Sequence, residues 1–193
     1  PSEPALPGET ESPVFSDVTD QWFAEDVAYV AEKGLMTGTG DGKFSPNMTT
    51  SRGMIVTILW RMEGEAAAQT APAFADVAEG AYYAKAVAWA AENNIVTGYS
   101  DSVFGPNDAI TREQLAVILF RYAQSKGLAA VDAAEHLNAF ADAADVSSYA
   151  VPAMNWAVGQ GLIQGSNGLL LPQGTADRAQ IAAVLHRFCE LSK

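Results

Sequence analysis

The sequence predicts an all-α fold of three helix-loop-helix repeats closed into one pseudo-three-fold unit. Three observations predict it. Short motifs recur three times in one order, each copy carries two helical segments, and the second segment repeats one apolar stripe at helical spacing. Phe15-Ser16-Asp17-Val18 returns as Phe74-Ala75-Asp76-Val77 and as Phe140-Ala141-Asp142-Ala143. Phe23-Ala24 is matched to Tyr83-Ala84 and Tyr149-Ala150, and Gly34-Leu35-Met36-Thr37-Gly38 to 94–98 and 161–165. Ser51-Arg52 returns as Thr111-Arg112 and Asp177-Arg178. The repeats are placed at 14–66, 73–127 and 139–192.

The elements follow in chain order. Residues 1–13 (PSEPALPGETESP) lack the apolar groups a core needs and are read as a linker. The first helix of repeat two is expected over about 82–93, with Ala84, Val87, Ala88 and Ala91 on one face. Gly34, Asn94 and Gly161 stand where a C-terminal cap is wanted, and Pro152 stands near a helix start. A glycine- and proline-bearing loop comes next. The second helix then opens on a cap: Thr111-Arg112-Glu113-Gln114 fits the capping box. Asp177 and Gln180 keep both parts of that box, whereas Ser51 keeps the cap without the glutamine. The stripe is Ile55, Ile58, Leu59, Met62; then Leu115, Ile118, Leu119, Tyr122; then Ile181, Val184, Leu185, Phe188. Trp60, Phe120, His186 and Val117 lie off it, so the second helices are expected to pack against one another as well as on their own partners. The connector 127–139 has the composition of a short extra helix.

Composition narrows the function. The 193 residues carry 11 basic and 23 acidic side chains, a net charge of −12. That balance argues against a nucleic-acid partner, which needs a basic face. The single cysteine, Cys189, excludes an internal disulfide framework, and with only two histidines little remains for a metal site. No apolar run approaches the roughly 20 residues that span a bilayer. The chain begins at Pro1 without a signal peptide, as expected for a mature secreted piece or a fragment of a longer protein. No carboxylate pair, nucleophile motif or phosphate loop departs from the repeat pattern, so an enzyme is not expected and neither is a cofactor. Asp41-Gly42 and Asp101-Ser102 lack the ligand spacing of a calcium loop and are read as turns.

Phe-x-Asp-Val, residues 37–46 (TGTGDGKFSP) and residues 110–115 (ITREQL) together resemble the S-layer homology (SLH) domain, in the usual set of three. The resemblance runs from Val14 to about Leu191. It implies a pseudo-trimer with grooves between adjacent repeats. It also implies non-covalent anchoring of a surface protein to a secondary cell wall polymer linked to peptidoglycan, at the bacterial cell surface. In many members that polymer carries pyruvate ketals, hence carboxylates, and the family's motif arginine maps onto Arg52, Arg112 and Arg178. An upstream passenger domain is expected. A protein–protein interaction module of the envelope is the alternative.

Two readings of the three arginines stand side by side. Each follows an N-cap, where unpaired N–H groups and a partial positive charge favour an anion, and a guanidinium fork matches a carboxylate. A cation there costs about 0.3–1 kcal/mol, and all three repeats accept it. Alternatively each arginine pairs with a carboxylate such as its own repeat's Phe-x-Asp residue. Trp22 and Tyr82, bordering a loop, are the better candidates for stacking on a sugar. Tyr29, Trp89 and Trp156 have core packing as their commoner use. Thr111 and Gln114 join the candidate contacts, as do Gly38 and Gly98, although those glycines equally serve a turn by supplying positive φ. Asp17, Asp76 and Asp142 are expected to cap a turn or hold an arginine. Arg61, Arg121 and Arg187 are expected in structural ion pairs, and Cys189 as a buried small hydrophobe. Because repeat three carries Asp177 beside Arg178, the Arg112 groove is expected to bind most strongly and the Arg178 groove least.

Overall fold

The computed structural model describes residues 14–70, 74–130 and 134–191; the linker expected at 1–13 lies outside them. Six α-helices follow in order: α1 (Ala24–Glu32), α2 (Arg52–Met62), α3 (Ala84–Glu92), α4 (Arg112–Ser125), α5 (Val151–Gly159) and α6 (Arg178–Glu190). The described residues contain isolated bridges but no strand. Of the connector 127–139, His136–Ala139 forms a short 3-10 turn, and residues 131–133 lie outside the described residues.

The first helices stop as their sequences imply. Leu35 N donates to Val30 O and Gly34 N to Ala31 O, the pair of bonds that satisfies the last carbonyls of a helix. Asn94 and Gly161 repeat the geometry, and all three residues hold a positive φ of 57–70°. The helix starts correct one alignment. Phe23, Tyr83 and Ala150 are the residues before α1, α3 and α5, so Tyr149 is the counterpart of Trp22 and Tyr82. Exposure agrees: Trp22, Tyr82 and Tyr149 are 66%, 57% and 58% exposed, while Phe23, Tyr83 and Ala150 are buried.

The second helices open on their caps. The Ser51 hydroxyl accepts from Met54 N, the Thr111 hydroxyl from Gln114 N, and the Asp177 carboxylate from Gln180 N. Gln114 closes the capping box by accepting from Thr111 N. The close helix pairs join different repeats: α2 with α3, α4 with α5, and α6 with α1. The expectation that each second helix packs on its own first helix is therefore corrected. The loop between the two helices of a repeat carries the second one over to the following repeat, and its apolar stripe is buried there.

Closure is made by backbone. Thr50 N donates to Ala176 O, Ala176 N to Ile110 O, and Ile110 N to Thr50 O. These three residues are buried and link the approaches to α2, α4 and α6 into a cycle. One contiguous core draws on all three repeats, with Trp89, Tyr122, Phe188, Trp156 and Phe120 in successive ring contacts. At the α6–α1 seam, His186 Nδ1 lies 2.8 Å from Asp26 Oδ1 and its ring stacks on Tyr29. Cys189 is half-buried against the core rather than fully enclosed.

Candidate functional site

The Phe-x-Asp aspartates brace the loops from within their own repeats. Asp17 accepts from Phe44 N and Ser45 N, both at 2.8 Å. Asp76 accepts from Phe104 N and Gly105 N, and Asp142 from Leu170 N and Leu171 N. The carbonyl of the same loop residue is held by the preceding repeat's arginine. Arg178 Nε donates to Phe44 O at 2.8 Å, Arg52 Nε to Phe104 O at 3.0 Å, and Arg112 Nε to Leu170 O at 2.7 Å. Aspartate and arginine thus grip opposite ends of one residue without touching, and the expected pairing within a repeat is not what the arginines do. For Asp17 and Asp76 burial raises the carboxyl pKa, but the loop N–H groups outweigh it and hold both low. Asp142 is lowered chiefly by Leu170 N–H.

The N–H groups at the helix starts are not open to an anion. Arg52 N donates to Asp108 O and Gly53 N to Pro106 O. Arg112 N and Glu113 N reach Gly174 O and Pro172 O, and Arg178 N and Ala179 N reach Met48 O and Pro46 O. The third N–H of each helix goes to its cap. Docking of one repeat on the next consumes the donors that a free helix end would offer. Positive charge at these helix starts therefore comes from the guanidinium groups, of which those of Arg52 and Arg178 belong to buried residues and that of Arg112 to a half-buried one. Burial lowers their pKa values, and nearby carboxylates act in the opposite sense.

Two grooves result, each built from three repeats. The first, about 390 Å³, has Arg52 at one end, Thr97, Gly98 and Tyr99 along a side, Gln114 and Arg121 from α4, and Tyr149 from repeat three. The Arg52 guanidinium carbon lies 4.7 Å from the Tyr99 ring centre, and Nη2 donates to Thr97 O. The second groove, about 500 Å³, has Arg112, the loop 162–171, Gln180 and Arg187 from α6, and Trp22 from repeat one. Arg112 donates there through Nε alone among the described residues, which leaves its Nη groups without a protein acceptor among them. Arg178, like Arg52, is buried and donates through both Nε and Nη2, here to Phe44 O and Thr37 O, and it lines neither of these two grooves.

Several sequence expectations change on this geometry. Arg121 and Arg187 are in no ion pair among the described residues. They line the same grooves as Arg52 and Arg112, donating to Thr97 Oγ1 and Leu162 O. Their recurrence off the apolar stripe was the available signal. Arg61 is exposed. Asp177 caps α6 and its charge acts on Arg112 rather than on Arg178. Gln180 forms no capping box, and its Oε1 is buried without a hydrogen-bond partner. Gly38 and Gly98 have no positive φ. They are glycine because a Cβ would lie 2.8 Å from the Phe15 ring and 2.6 Å from the Phe74 ring. Trp89 and Trp156 are buried core residues. Tyr82 is exposed and meets Tyr83 edge-on. The Thr111 hydroxyl is engaged in its cap, and Gln114 reaches the first groove from the same box. No helix among the described residues is long and apolar enough to cross a membrane, and no cluster of His, Cys, Asp and Glu among them is fit to hold a metal.

Comparison with known proteins completes the site's context. The family model described as S-layer homology domain matches residues 14–53, 73–116 and 139–182. The chain is 34% identical over 171 residues to a surface-layer 125 kDa protein of Lysinibacillus sphaericus, covering 86% of this chain and 14% of that protein. It is 28% identical over 181 residues to an amylopullulanase of Thermoanaerobacterium thermosulfurigenes, covering 92% of this chain and 10% of that protein. An endoglucanase of a Bacillus strain is 30% identical over 176 residues, covering 89% of this chain and 18% of that protein. The chain thus spans less than a fifth of the length of these curated relatives, a surface-layer protein and two enzymes of different name.

Proposed function

The chain belongs to the S-layer homology family, and on that premise we propose that it anchors a longer protein non-covalently to an anionic wall polysaccharide at the bacterial cell surface. The grooves receive a pyruvylated saccharide of the secondary cell wall polymer linked to peptidoglycan. The observation that carries this reading is the paired arginines. Arg52 with Arg121, and Arg112 with Arg187, line grooves that also present an exposed aromatic ring. On a chain of net charge −12, two guanidiniums lining one groove, with no ion-pair partner among the described residues, favour a carboxylate there. The ring of Tyr149 or Trp22 offers an apolar face to the C–H side of a sugar. The family's occurrence in a surface-layer protein and in large enzymes agrees with an anchoring role for the shared segment, the rest of each protein being its cargo.

Isothermal titration with a disaccharide carrying a ketal pyruvate on N-acetylmannosamine, with and without the ketal, tests the reading. The pyruvylated form is expected to bind and the stripped form to lose about 1.5–3 kcal/mol, the contribution of charge-assisted hydrogen bonds. Equal affinity for the two forms, or retention by a protein-only envelope extract with none by purified polysaccharide, overturns it.

A further inference from the structure

We infer that Glu113 is a positioning residue of the Arg52 groove, holding the Tyr149 ring in place as one wall of that groove. The inference rests on the reading of the grooves as saccharide sites. Glu113 is the second residue of α4 and only 2% exposed. Its counterparts, Gly53 and Ala179, have no polar side chain. The carboxylate crosses to repeat three. Oε1 accepts from Ser147 Oγ at 2.8 Å and from Tyr149 OH at 3.0 Å, and Oε2 accepts from Ser147 N at 3.0 Å.

The room for this carboxylate comes from its partner repeat. Where repeats one and two carry Phe23 and Tyr83, repeat three has Ala150. At the equivalent interface a Cβ on Gly53 would lie 2.8 Å from Pro106 O and 3.1 Å from the Tyr83 ring. Glycine stands where the next repeat has tyrosine, alanine (Ala179) where it has phenylalanine, and glutamate where it has alanine. Glutamate adds a function to the filling. The Tyr149 hydroxyl is committed to Glu113, so the tyrosine offers the groove its ring and not a donor. Burial and the bond to Glu113 push its phenol up to about 12, which keeps it a donor. The corresponding ring of the second groove, Trp22, packs edge-on against Phe23 and has no such tether among the described residues. A ring already fixed loses less freedom when a sugar lies on it.

Two backgrounds separate the grooves: Arg112→Ala leaves the Arg52 groove, and Arg52→Ala leaves the Arg112 groove. The probe is the pyruvylated disaccharide. In the first background, Glu113→Ala, which removes both acceptor oxygens, and Tyr149→Phe are each expected to weaken binding about two- to tenfold, the order of the freedom one side chain loses on being fixed by a ligand. Together they weaken it no further, because both break the bond from Tyr149 OH to Glu113. In the second background Tyr149→Phe, which lines only the first of the two grooves, is expected to change affinity by less than about twofold. Equal losses from Tyr149→Phe in both grooves, or additive losses from the two substitutions, overturn the inference. The ligand-free protein supplies a second readout through spectra of carbon-labelled tyrosine. The Tyr149 ring resonance is expected to shift in Glu113→Ala, and an unchanged resonance overturns the inference whatever binds. Absence of saccharide binding in both backgrounds sinks the saccharide reading, and the resonance then decides the tether alone.

Discussion

Arg112 differs from its two counterparts in how much of its guanidinium is spent inside the protein. Arg52 and Arg178 each donate through Nε and Nη2 to main-chain carbonyls, whereas Arg112 donates through Nε. Free Nη groups and the larger of the two grooves therefore put the Arg112 groove first, and Arg178, which lines neither groove, is expected to contribute least. The sequence reaches the same ranking from Asp177, but that residue's charge falls on Arg112. Titration of single alanine variants checks the order: Arg112→Ala is expected to lose the most affinity and Arg178→Ala the least. Abolition of binding by Arg178→Ala alone reverses it. The loop aspartates carry a pH dependence. Their folded pKa values lie below the ordinary 3.8, so their stabilisation is complete well above that value. It is lost as pH falls through the depressed folded values, because the unfolded chain takes up protons first. Melting temperature is expected to drop below about pH 4. Asp76→Asn should be less stable at neutral pH and flatter across that range; a variant with the full acid response places the titration elsewhere.

Helix boundaries were legible because their chemistry is local. Caps three residues from the groups they satisfy, and glycine or asparagine at positive φ after a helix, are read from adjacent positions. Residues at the tight loops were less legible, because their reason lies across the repeat. Gly98 looks like a turn glycine, yet a Cβ there would lie 2.3 Å from Ser100 O, 2.4 Å from Val103 O and 2.6 Å from the Phe74 ring. Backbone carbonyls cannot yield as a flexible side chain does. Gly98→Ala is thus expected to destabilise by about 1–3 kcal/mol, the usual cost of overpacking, as read by denaturant midpoint. A neutral outcome shows that the loop shifts freely. The off-by-one match of Tyr149 has a similar origin. Repeat three keeps no aromatic at the buried position, and the tyrosine beside it imitates one in sequence.

At the scale of the whole molecule the repeats interlock. Each second helix packs on the next repeat's first helix, and α6 returns to α1. The backbone cycle through Thr50, Ile110 and Ala176 adds to that closure. Such a unit is expected to unfold in one transition. Leu119, fully buried in the shared core, is the test: Leu119→Ala should cost about 2–5 kcal/mol and move the single calorimetric transition as a whole. A separate early transition for repeat two, with the others unmoved, shows three independent beads.

The sequence by itself determined the copy number, the six helices, their caps and the arginine at each second-helix start. Those features depend on periodicity and on neighbours within a few residues. Tertiary structure alone decided which repeat each arginine serves, that the helix-start N–H groups are spent on the next repeat, and that Arg121 and Arg187 complete the grooves. The physical reason is separation: Arg52 meets a carbonyl 52 residues away and Arg178 one 134 residues away. Three similar copies present similar local patterns whichever way round they are joined. Only particular side-chain contacts, such as Glu113 with Ser147 and Tyr149, give each interface its own shape.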